Sequence, residues 1–484
     1  MQNKKEVRKS KLKRGIVLYV LFLIVSITCT VFVWRLNVLP MLYFVIMVVA
    51  VIILNFILQH LTLSKKNGKY IVGCILTVIF LLLFGVGIFF QSKMLSFLNE
   101  IVEKNYHLES YYVVTLKKYN LNTLKDLGNE PLAVGEYADE EVKEVTKKIN
   151  KKIDSKIEKK ESSELLDLLL DEDYKAVIIH ESDMQVLKMT SETFLENHVV
   201  LETIELKVKI TDTSSHVDIT KKSFNIYVTG VDTYGRITGS ARSDVNMVLT
   251  INPNTNQVLI TSIPRDYYID LAGYNSKDKI THSGIYGIAA TEQSVEKLLD
   301  IEINYYVKFN FNALVKLVDA LGGITVENPT AFTANFIDEQ DNYKTVNYSY
   351  KKGTIQLNGK QALAFVRERK AFALGDRKRV ENQQLVLQAV LNKLNASNMI
   401  SKYNELLEII SDNFVTNMPV KNITSFVKHQ IKNMPSWNIE SQVMDGTDGS
   451  EYTYTYKKSK TYVMLPKADS VNETKTKIKE VMGE

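Results

Sequence analysis

The sequence predicts an α/β protein with a membrane anchor: three N-terminal transmembrane helices, a small α/β accessory domain and a larger α/β domain with a central mixed sheet flanked by helices. Three apolar runs of about 20 residues precede the first soluble segment. In the second half, β-branched runs alternate with helical patterns, an order typical of helices packed on a sheet. We place the domains at 1–97, 98–215 and 216–484.

The membrane region consists of three uniformly apolar runs, at 15–33, 39–58 and 70–90. Each has about the length that crosses the hydrocarbon core of a bilayer. The first run is too long, and too closely followed by the second, to be a cleaved signal peptide. Lys and Arg cluster before the first run and again at 65–69, whereas the connection between the first two runs has only Arg35. The positive-inside rule therefore predicts a cytoplasmic N-terminus and an extracellular location for everything after residue 90.

Charge is distributed unevenly along the chain, whose formal net charge is +5. Residues 1–97 hold 12 Lys or Arg and one acid, which leaves 48 basic and 54 acidic side chains for residues 98–484. The basic leader is better explained as an orientation signal than as a nucleic-acid-binding arm. Both cysteines, Cys29 and Cys74, lie in the apolar runs. The larger remainder can therefore hold neither a disulfide nor a cysteine-based metal site.

The segment after the membrane region predicts a small α/β domain. Apolar residues recur every three or four positions, at Val142, Val145, Ile149, Ile153 and Ile157. This period predicts an amphipathic helix over 139–160, with a Lys/Glu-rich outer face that is either solvated or a docking surface for a partner. Strand-like runs at 111–116, 175–180 and 202–210 flank the helix, and the polar segment 211–223 is expected to be a linker.

Three further strands, at 224–231, 245–251 and 258–263, are predicted from β-branched composition. The turn at 252–256 makes the last two an antiparallel hairpin. If the first two are also antiparallel, one sheet edge collects the charged residues Asp232, Arg242, Asp244, Arg265 and Asp266. Carboxylates beside guanidiniums suit an oxygen-ligated divalent cation next to a phosphate, and the alternative is a surface lattice of ion pairs.

Helices are predicted near 285–299 and 312–321, the second ending at Gly322 and Gly323 before a strand at 324–328. The helix at 312–321 has a wide apolar face, which is expected to pack in the core. A lipid-lined pocket is the alternative, because periodicity cannot distinguish the two.

A second charged cluster lies between residues 361 and 384. Arg367 and Arg369 are two apart, so in an extended chain they point to the same side. Asp376 stands at an expected N-cap, and Arg379 and Gln383 share one face of the helix that follows. Arginines around a helix N-terminus predict an anion site. A nucleic-acid surface is disfavoured, because this region is expected outside the cell and is acidic overall.

Three membrane spans and a small domain are followed by the motifs TGVD, ARSDVNMVLTI, ITSIPRD, an R-x-R pair, and GDRKR with a later Gln. This order of segments resembles that of the LytR-CpsA-Psr family, most of all its capsule-locus members from Gram-positive cocci. The resemblance implies a phosphotransferase that moves a capsular or other cell-wall glycopolymer from a polyprenyl-pyrophosphate carrier to a hydroxyl of N-acetylmuramic acid in peptidoglycan. It further implies Mg²⁺, with Mn²⁺ as the alternative, and a hydrophobic lipid tunnel between sheet and helices.

Roles carry over to individual residues by the same resemblance. The metal ligands are Asp232 and Asp244. The pyrophosphate-binding residues are Arg242, Arg265, Arg367, Arg369, Arg379 and Gln383. The catalytic residues are Arg265, Arg367, Arg369 and Asp376, the last of which either activates the acceptor hydroxyl or acts as an N-cap or salt-bridge partner that aligns Arg379. From the residues themselves, Asp266 is expected to orient Arg265, with metal binding as the alternative, and His282 is expected to be structural, with a contact to the site as the alternative.

The partners implied are a polyprenyl-pyrophosphate-linked glycan, peptidoglycan, the membrane and other capsule-assembly membrane proteins, with no nucleic acid. Two other functions use the same features. A non-catalytic membrane regulator or attenuator of capsule synthesis would bind the lipid without cleaving it. A pyrophosphatase would use the same residues with water as the acceptor.

Overall fold

The chain begins with three long helices, α1 (Gln2–Leu36), α2 (Met41–Thr62) and α3 (Asn67–Glu103). The computed structural model describes residues 2–37, 39–103, 106–209, 213–231, 237, 239–338, 344–373, 375–393, 409 and 413–484. The stretches 9–36, 41–62 and 67–96 are long and apolar enough to cross a membrane, as predicted. Asn55 of α2 donates its side-chain amide to the Ser26 hydroxyl of α1 at 3.2 Å, a polar contact of the kind that joins neighbouring membrane helices.

The accessory domain is a five-stranded sheet with helices on it, and all three predicted strands are present. Its strands are β1 (Tyr106–Leu116), β2 (Leu132–Val134), β3 (Ile157–Lys159), β4 (Ala176–His180) and β5 (His198–Lys209), in the order β3-β2-β4-β1-β5. Its helices are α4 (Asp139–Asn150), α5 (Leu165–Leu170), α6 (Glu181–Thr190) and α7 (Glu192–Asn197).

The helix predicted over 139–160 is shorter than expected, because α4 ends at Asn150. Beyond it the chain turns and pairs Ile157–Lys159 in parallel with Leu132–Val134. Ile153 and Ile157 still pack, partly buried, against the same core as Ile149. The apolar residues therefore continue past the end of the helix because the segment up to β3 packs on the same core as the helix. Pairing with β2 provides hydrogen-bond partners for the backbone of β3.

The larger domain contains fourteen strands among the described residues. They are β6 (Phe224–Val231), β7 (Ser243–Asn252), β8 (Gln257–Ser262), β9 (Tyr268–Leu271), β10 (Ser276–Lys279), β11 (Tyr305–Asn310), β12 (Ile324–Asn328), β13 (Phe332–Asp338), β14 (Lys344–Tyr350), β15 (Gly353–Leu357), β16 (Phe414–Thr416), β17 (Asn438–Val443), β18 (Gly446–Glu451) and β19 (Thr461–Pro466). Its helices are α8 (Ile280–Ser283), α9 (Ile288–Leu299), α10 (Phe311–Ala320), α11 (Gly359–Arg367), α12 (Asp376–Lys393), α13 (Val420–Asn433) and α14 (Ala468–Met482).

The central sheet has the order β16-β11-β6-β7-β8-β17 and is mixed, as predicted. β6, β7 and β8 are antiparallel neighbours, whereas β11 runs parallel to β6, and β17 parallel to β8. Alternate residues of each strand enter cores on opposite faces. Val248 packs in the core that includes α9 and α14, and its neighbour Leu249 in the core that includes α12 and α13. The sheet therefore lies between two layers of helices.

The predicted helices at 285–299 and 312–321 are α9 and α10, and the predicted strand at 324–328 is β12. A tight turn over 284–286 delays the start of α9 to Ile288. After α10, Gly322 and Gly323 have φ angles of +73° and +84°, and the Gly323 N–H donates to the Val318 carbonyl at 2.9 Å. The expected glycine C-cap is thus present. The apolar face of α10 packs in a third core with α11 and β12, which confirms the core assignment.

The described part of the predicted linker, 213–223, lies against the larger domain. The Ser215 N–H donates to the Asn304 carbonyl at 3.1 Å, and Ile219 is buried. Thr213 donates its hydroxyl to Glu292 of α9 at 2.7 Å. Glu292 is almost fully buried, and this burial raises the pKa of its carboxyl group to about 8, with a smaller contribution from Glu296.

This buried carboxyl group makes the stability of the fold sensitive to pH. Between the ordinary pKa of a Glu, about 4.3, and about 8, the folded chain holds a proton that the unfolded chain has lost. Stability therefore falls as pH rises, by up to about 1.4 kcal/mol per pH unit. We expect Glu292→Gln to match the wild type at pH 4 and to exceed it in unfolding midpoint at pH 8. Thermal unfolding of the detergent-solubilised chain tests this, with the exposed Glu473→Gln as control; equal midpoints at pH 8 would contradict it.

Candidate active site

A cavity of about 250 Å³ opens at the edge of the central sheet where β7 begins and β8 ends. It is lined by Arg242, Asp244, Arg265, Phe311, Val366, Arg367, Arg369 and Arg379. Five guanidinium groups and one carboxylate thus surround a space of a size that holds a small ligand group. Guanidiniums at this density repel one another unless anions lie between them, so the cavity is suited to a multiply charged anion.

The antiparallel strands bring the first group of these residues together. Ser243 pairs with Val231, and Met247 pairs with Ser262, so the end of β6, the start of β7 and the end of β8 share one edge. Arg242 precedes β7, and Arg265 follows β8 by three residues. The predicted convergence is therefore present for Arg242, Asp244 and Arg265. The predicted metal ligand Asp232 lies outside the described residues.

Arg367 and Arg369 reach the cavity by a different route from the one predicted. Helix α11 continues through Arg367, so the two residues do not lie in one extended segment. The backbone becomes extended only at Glu368, whose buried carboxylate accepts the N–H groups of Asn335 at 3.2 Å and Ala371 at 2.9 Å. The helix extends this far because Phe365 and Val366 are buried in the core. Both guanidiniums still line the cavity.

An aromatic ring supports the guanidinium of Arg367. Its central carbon lies 4.5 Å from the centroid of the Phe311 ring and 5.9 Å from that of Phe336. The face of an aromatic ring attracts a cation, which helps to hold the guanidinium at this position. Phe311 was missed from sequence; it directly follows β11, which runs parallel to β6 and ends at the same sheet edge.

Asp376 is the first residue of α12, so the preceding Gly375, with φ +50°, occupies the N-cap position expected for Asp376. One carboxylate oxygen of Asp376 lies 2.6 Å from an Nη atom of Arg379 and 3.4 Å from Nε of Arg265. The N-cap assignment is therefore wrong, and the salt-bridge alternative is confirmed. Gln383 lies one turn after Arg379, half-buried, and is not among the residues that line the cavity.

A second carboxylate, Asp244, pairs with Arg265. Its Oδ1 atom lies 3.0 Å from Nη1 of Arg265 and accepts the Thr281 hydroxyl at 3.3 Å. Burial alone would raise the pKa of Asp244, but Arg265, Arg242 and Arg379 outweigh it and lower the pKa. Asp244 is therefore ionised at neutral pH. Thr281 was missed from sequence, although it directly precedes His282, which was considered there.

Asp266 contacts Arg265 from the other side, as expected of an orienting group. Its carboxylate lies 3.7 Å from Nε of Arg265, and a shorter ion pair of 3.0 Å joins it to Lys279. His282 is structural, as predicted: it is buried, and its Nδ1 lies 2.7 Å from the carboxylate of Asp278. The same Asp278 accepts the Thr455 N–H at 2.8 Å, so this pair fastens a C-terminal segment beside the site.

Several buried polar atoms around the cavity lack an aligned hydrogen bond to any described residue. They are Nε of Arg265, both carboxylate oxygens of Asp376, and Nε and Nη2 of Arg379. Buried polar groups in native proteins are nearly always hydrogen-bonded, and unpaired ones mark a place for a ligand, an ion or water. The N–H groups of Arg265 and Arg379 that lack an aligned hydrogen bond are suited to the oxygens of a phosphate or pyrophosphate.

Few carboxylates among the described residues are available to bind a metal ion at this site. Within the described ranges, no group of three or more His, Cys, Asp or Glu could hold a metal ion, and Asp244 is the one acid that lines the cavity. Mg²⁺ commonly uses one or two carboxylates and completes its shell with phosphate oxygens and water. A cation could thus fit beside a bound phosphate.

The fold and the site define a class: an α/β protein with three apolar N-terminal helices and an arginine-lined anion site at the edge of a mixed sheet. Within this class the chain belongs to the LytR_cpsA_psr family, whose family model matches residues 190–480. The chain is 37% identical over 209 residues to a polyisoprenyl-teichoic acid–peptidoglycan teichoic acid transferase from Bacillus subtilis, an alignment that covers 43% of this chain and 64% of the relative.

The chain is also similar to proteins of the same descriptive name from other bacteria. The one from Bacillus mycoides is 35% identical, with 48% of this chain and 73% of the relative covered. The one from Enterococcus faecalis is 36% identical, with 45% and 67% covered. A crystal structure of a protein from Streptococcus agalactiae aligns with 54% of this chain and 89% of its own, at 29% identity and a TM-score of 0.46.

The carboxylate of Asp376 lies between two guanidiniums. Its removal should therefore destabilise the fold, and a bound anion should restore part of the lost stability. We expect Asp376→Ala to lower the free energy of unfolding by about 1–3 kcal/mol, because Arg265 and Arg379 then face each other without a counter-charge. Inorganic pyrophosphate should stabilise the variant more than the wild type. Thermal unfolding with and without pyrophosphate measures both effects. The exposed Asp448→Ala, which also breaks an arginine ion pair, is the control, with an expected loss below about 1 kcal/mol.

Proposed function

We propose that the chain transfers a capsular or other cell-wall glycopolymer from a polyprenyl-pyrophosphate carrier to peptidoglycan and releases polyprenyl phosphate. The observation that carries this proposal is the five-arginine cavity, which suits a pyrophosphate and in which N–H groups of Arg265 and Arg379 lack an aligned hydrogen bond to the described residues. Three apolar helices would keep the site near the membrane in which a lipid carrier resides. The similar proteins named above are transferases that act on polyisoprenyl-linked teichoic acid and peptidoglycan.

The reaction would be attack by an acceptor hydroxyl, in our proposal that of N-acetylmuramic acid, on the phosphorus bonded to the first sugar of the polymer. A new phosphorus–oxygen bond forms, the bond to the bridging pyrophosphate oxygen breaks, and polyprenyl phosphate departs and takes up the proton that the hydroxyl loses. This step needs charge stabilisation and alignment more than covalent help. We assign charge stabilisation to Arg265, Arg367 and Arg369, and pyrophosphate binding also to Arg242 and Arg379.

The position of Asp376 favours an orienting role over a role as general base. Its carboxylate already pairs with Arg379 at 2.6 Å and with Arg265 at 3.4 Å. We therefore assign to Asp376 the alignment of these two guanidiniums. Gln383 is assigned a supporting place one helical turn behind Arg379, since it does not line the cavity. The lipid tunnel implied by the family resemblance stays a prediction.

A divalent cation, Mg²⁺ or alternatively Mn²⁺, is the proposed cofactor. Asp244 would hold it together with the phosphate oxygens, and Asp232 is proposed as the second protein ligand. When bound, such a cation supplies positive charge that polarises the phosphoryl group. Asp244 is ionised and buried at the cavity wall, which is what a ligand to a hard cation requires.

The proposed location is the cell membrane, with a cytoplasmic N-terminus and everything after the third span outside the cell. Basic residues at 4–14 and 65–69 support this orientation. The proposed partners are the lipid-linked glycan, peptidoglycan and other membrane proteins of capsule assembly, with no nucleic acid.

A single assay tests the proposal against its rivals. The full chain in detergent micelles is given a synthetic polyprenyl-pyrophosphoryl oligosaccharide, peptidoglycan acceptor and Mg²⁺, and both polyprenyl phosphate and acceptor-linked sugar are measured. Sugar joined to peptidoglycan would support the transferase. Polyprenyl phosphate released without acceptor-linked sugar would indicate a pyrophosphatase. Lipid that binds but is never cleaved would overturn both and favour a non-catalytic regulator.

The arginine cage predicts a loss of activity without a loss of fold. Arg367→Ala and Arg369→Ala should each reduce transfer by about 10²–10³-fold, because each removes a guanidinium that would stabilise developing charge. Both side chains are at least partly exposed, so the unfolding midpoint should change little. Arg377→Ala is the matched control: Arg377 is on α12 next to Asp376 but binds the Gly446 carbonyl instead of lining the cavity. Wild-type rates in both cage variants would refute the assignment.

The metal assignment has a separate test. Asp244→Ala combined with Asp232→Ala should abolish both transfer and Mg²⁺ binding, the latter measured by calorimetry in the presence of inorganic pyrophosphate. The ligands would lie elsewhere if the double variant bound Mg²⁺ as tightly as the wild type. Asp270→Ala, in the same domain and paired with Lys297, serves as the control and should leave Mg²⁺ binding unchanged.

A further inference from the structure

The accessory domain contacts the main chain that leads into the anion site. Glu181, the first residue of α6, accepts the N–H of Ser240 on one carboxylate oxygen at 2.8 Å. Gln185, one turn later on the same helix, donates its side-chain amide to the carbonyl of that same Ser240 at 2.6 Å. Both backbone groups of Ser240 are thus bound by one helix of the other domain. Ser240 lies two residues before Arg242 and four before Asp244.

The larger domain fixes the residues on either side of Ser240. Lys308 of β11 is buried and donates to the carbonyl of Gly239 at 3.1 Å. The Ala241 N–H donates to the Gly284 carbonyl at 3.1 Å. Only a glycine fits at 284, since a Cβ there would stand 2.4 Å from the Ala241 carbonyl oxygen. Four polar groups from three consecutive residues are therefore held before the chain enters β7.

The charges at this contact complement the backbone. Glu181 is 4% exposed, and its second oxygen accepts the Ser110 N–H of β1 at 3.3 Å, so the accessory sheet fixes the carboxylate itself. Burial lowers the pKa of Lys308 to about 8, and the nearby charge of Glu181 acts against that shift. The carboxylate of Glu181 thus faces the N–H group of Ser240, and the ammonium group of Lys308 faces the carbonyl of Gly239. Burial of two charged groups costs free energy. Here both groups bind the backbone of one short loop, which indicates that the conformation of the loop is important.

We propose that Glu181 and Gln185 are positioning residues of the anion site, through which the accessory domain fixes the loop 239–241 and thereby the placement of Arg242 and Asp244. This inference rests on the proposed function for its kinetic consequence. A displacement of about 1 Å at a catalytic group costs up to about 10²-fold in rate. The accessory domain, for which the sequence indicated no chemistry, would then be a component of the site.

The test compares variants of the full chain in detergent micelles. Glu181→Leu removes the acceptor at similar size, and Glu181→Gln keeps an oxygen for the Ser240 N–H. Met184→Ala is the matched control, because Met184 is on α6, is buried in the accessory core and makes none of the hydrogen bonds to the loop described above. Three quantities are measured: hydrogen exchange of peptides that contain Ser240, kcat and KM for the lipid-linked donor, and the affinity for inorganic pyrophosphate.

In Glu181→Leu we expect faster exchange at Ser240, a kcat lower by about 10- to 100-fold with a much smaller change in KM, and pyrophosphate binding weaker by about tenfold. Glu181→Gln should restore most of each quantity. Met184→Ala should lower the unfolding midpoint and leave the other readouts at wild-type values. If Glu181→Leu does not fold, Gln185→Ala, which removes only the bond to the Ser240 carbonyl, should show the same pattern with smaller changes.

The proposal is overturned if exchange at Ser240 rises while kcat and pyrophosphate affinity stay at wild-type values, or if Met184→Ala reduces them as much as Glu181→Leu. Failure of the proposed function is a different result. If the wild-type chain has no transferase activity, the positioning role is tested by comparing the pyrophosphate affinity and the hydrogen exchange at Ser240 of the variants with those of the wild type. A wild-type chain that does not bind pyrophosphate would overturn both.

Discussion

Repulsion among five guanidinium groups around one small cavity is the constraint on which the rest of the larger domain depends. The structure offsets it with carboxylates: Asp244 pairs with Arg265, and Asp376 lies between Arg265 and Arg379. A ring face supports Arg367. Even so, N–H groups of Arg265 and Arg379 lack an aligned acceptor among the described residues. The positive charge is thus only partly compensated, and a bound polyanion would complete the compensation.

The central sheet explains how so many charges come to one place without disturbing the core. Its strands bury alternate residues on two faces, and Arg242, Asp244 and Arg265 of the site lie at or just beyond the strand ends. The antiparallel order of β6, β7 and β8 places three chain segments at the same edge. The remaining arginines are Arg367 at the end of α11, Arg369 in the connection and Arg379 in the first turn of α12.

The accessory domain belongs to the same arrangement. Its helix α6 satisfies both backbone groups of Ser240, while its own sheet satisfies the second oxygen of Glu181. The contact is polar, buried and short-ranged, so it constrains geometry more than it adds stability. In our proposal, the second domain next to the site helps the loop before β7 to keep its shape.

The sequence by itself determined the elements: three membrane helices from uniform apolar length, the hairpin from its turn residues, the glycine cap after α10, and the shared edge that holds Arg242, Asp244 and Arg265. These follow from local composition and the period of side chains. Only the tertiary structure decided the end of α4 at Asn150, the helical position of Arg367, the place of Asp376 between two arginines, and the contacts of Phe311 and Glu181. Each of these depends on groups far apart in sequence, and local patterns carry no information about which distant partner satisfies a buried charge or an open backbone group.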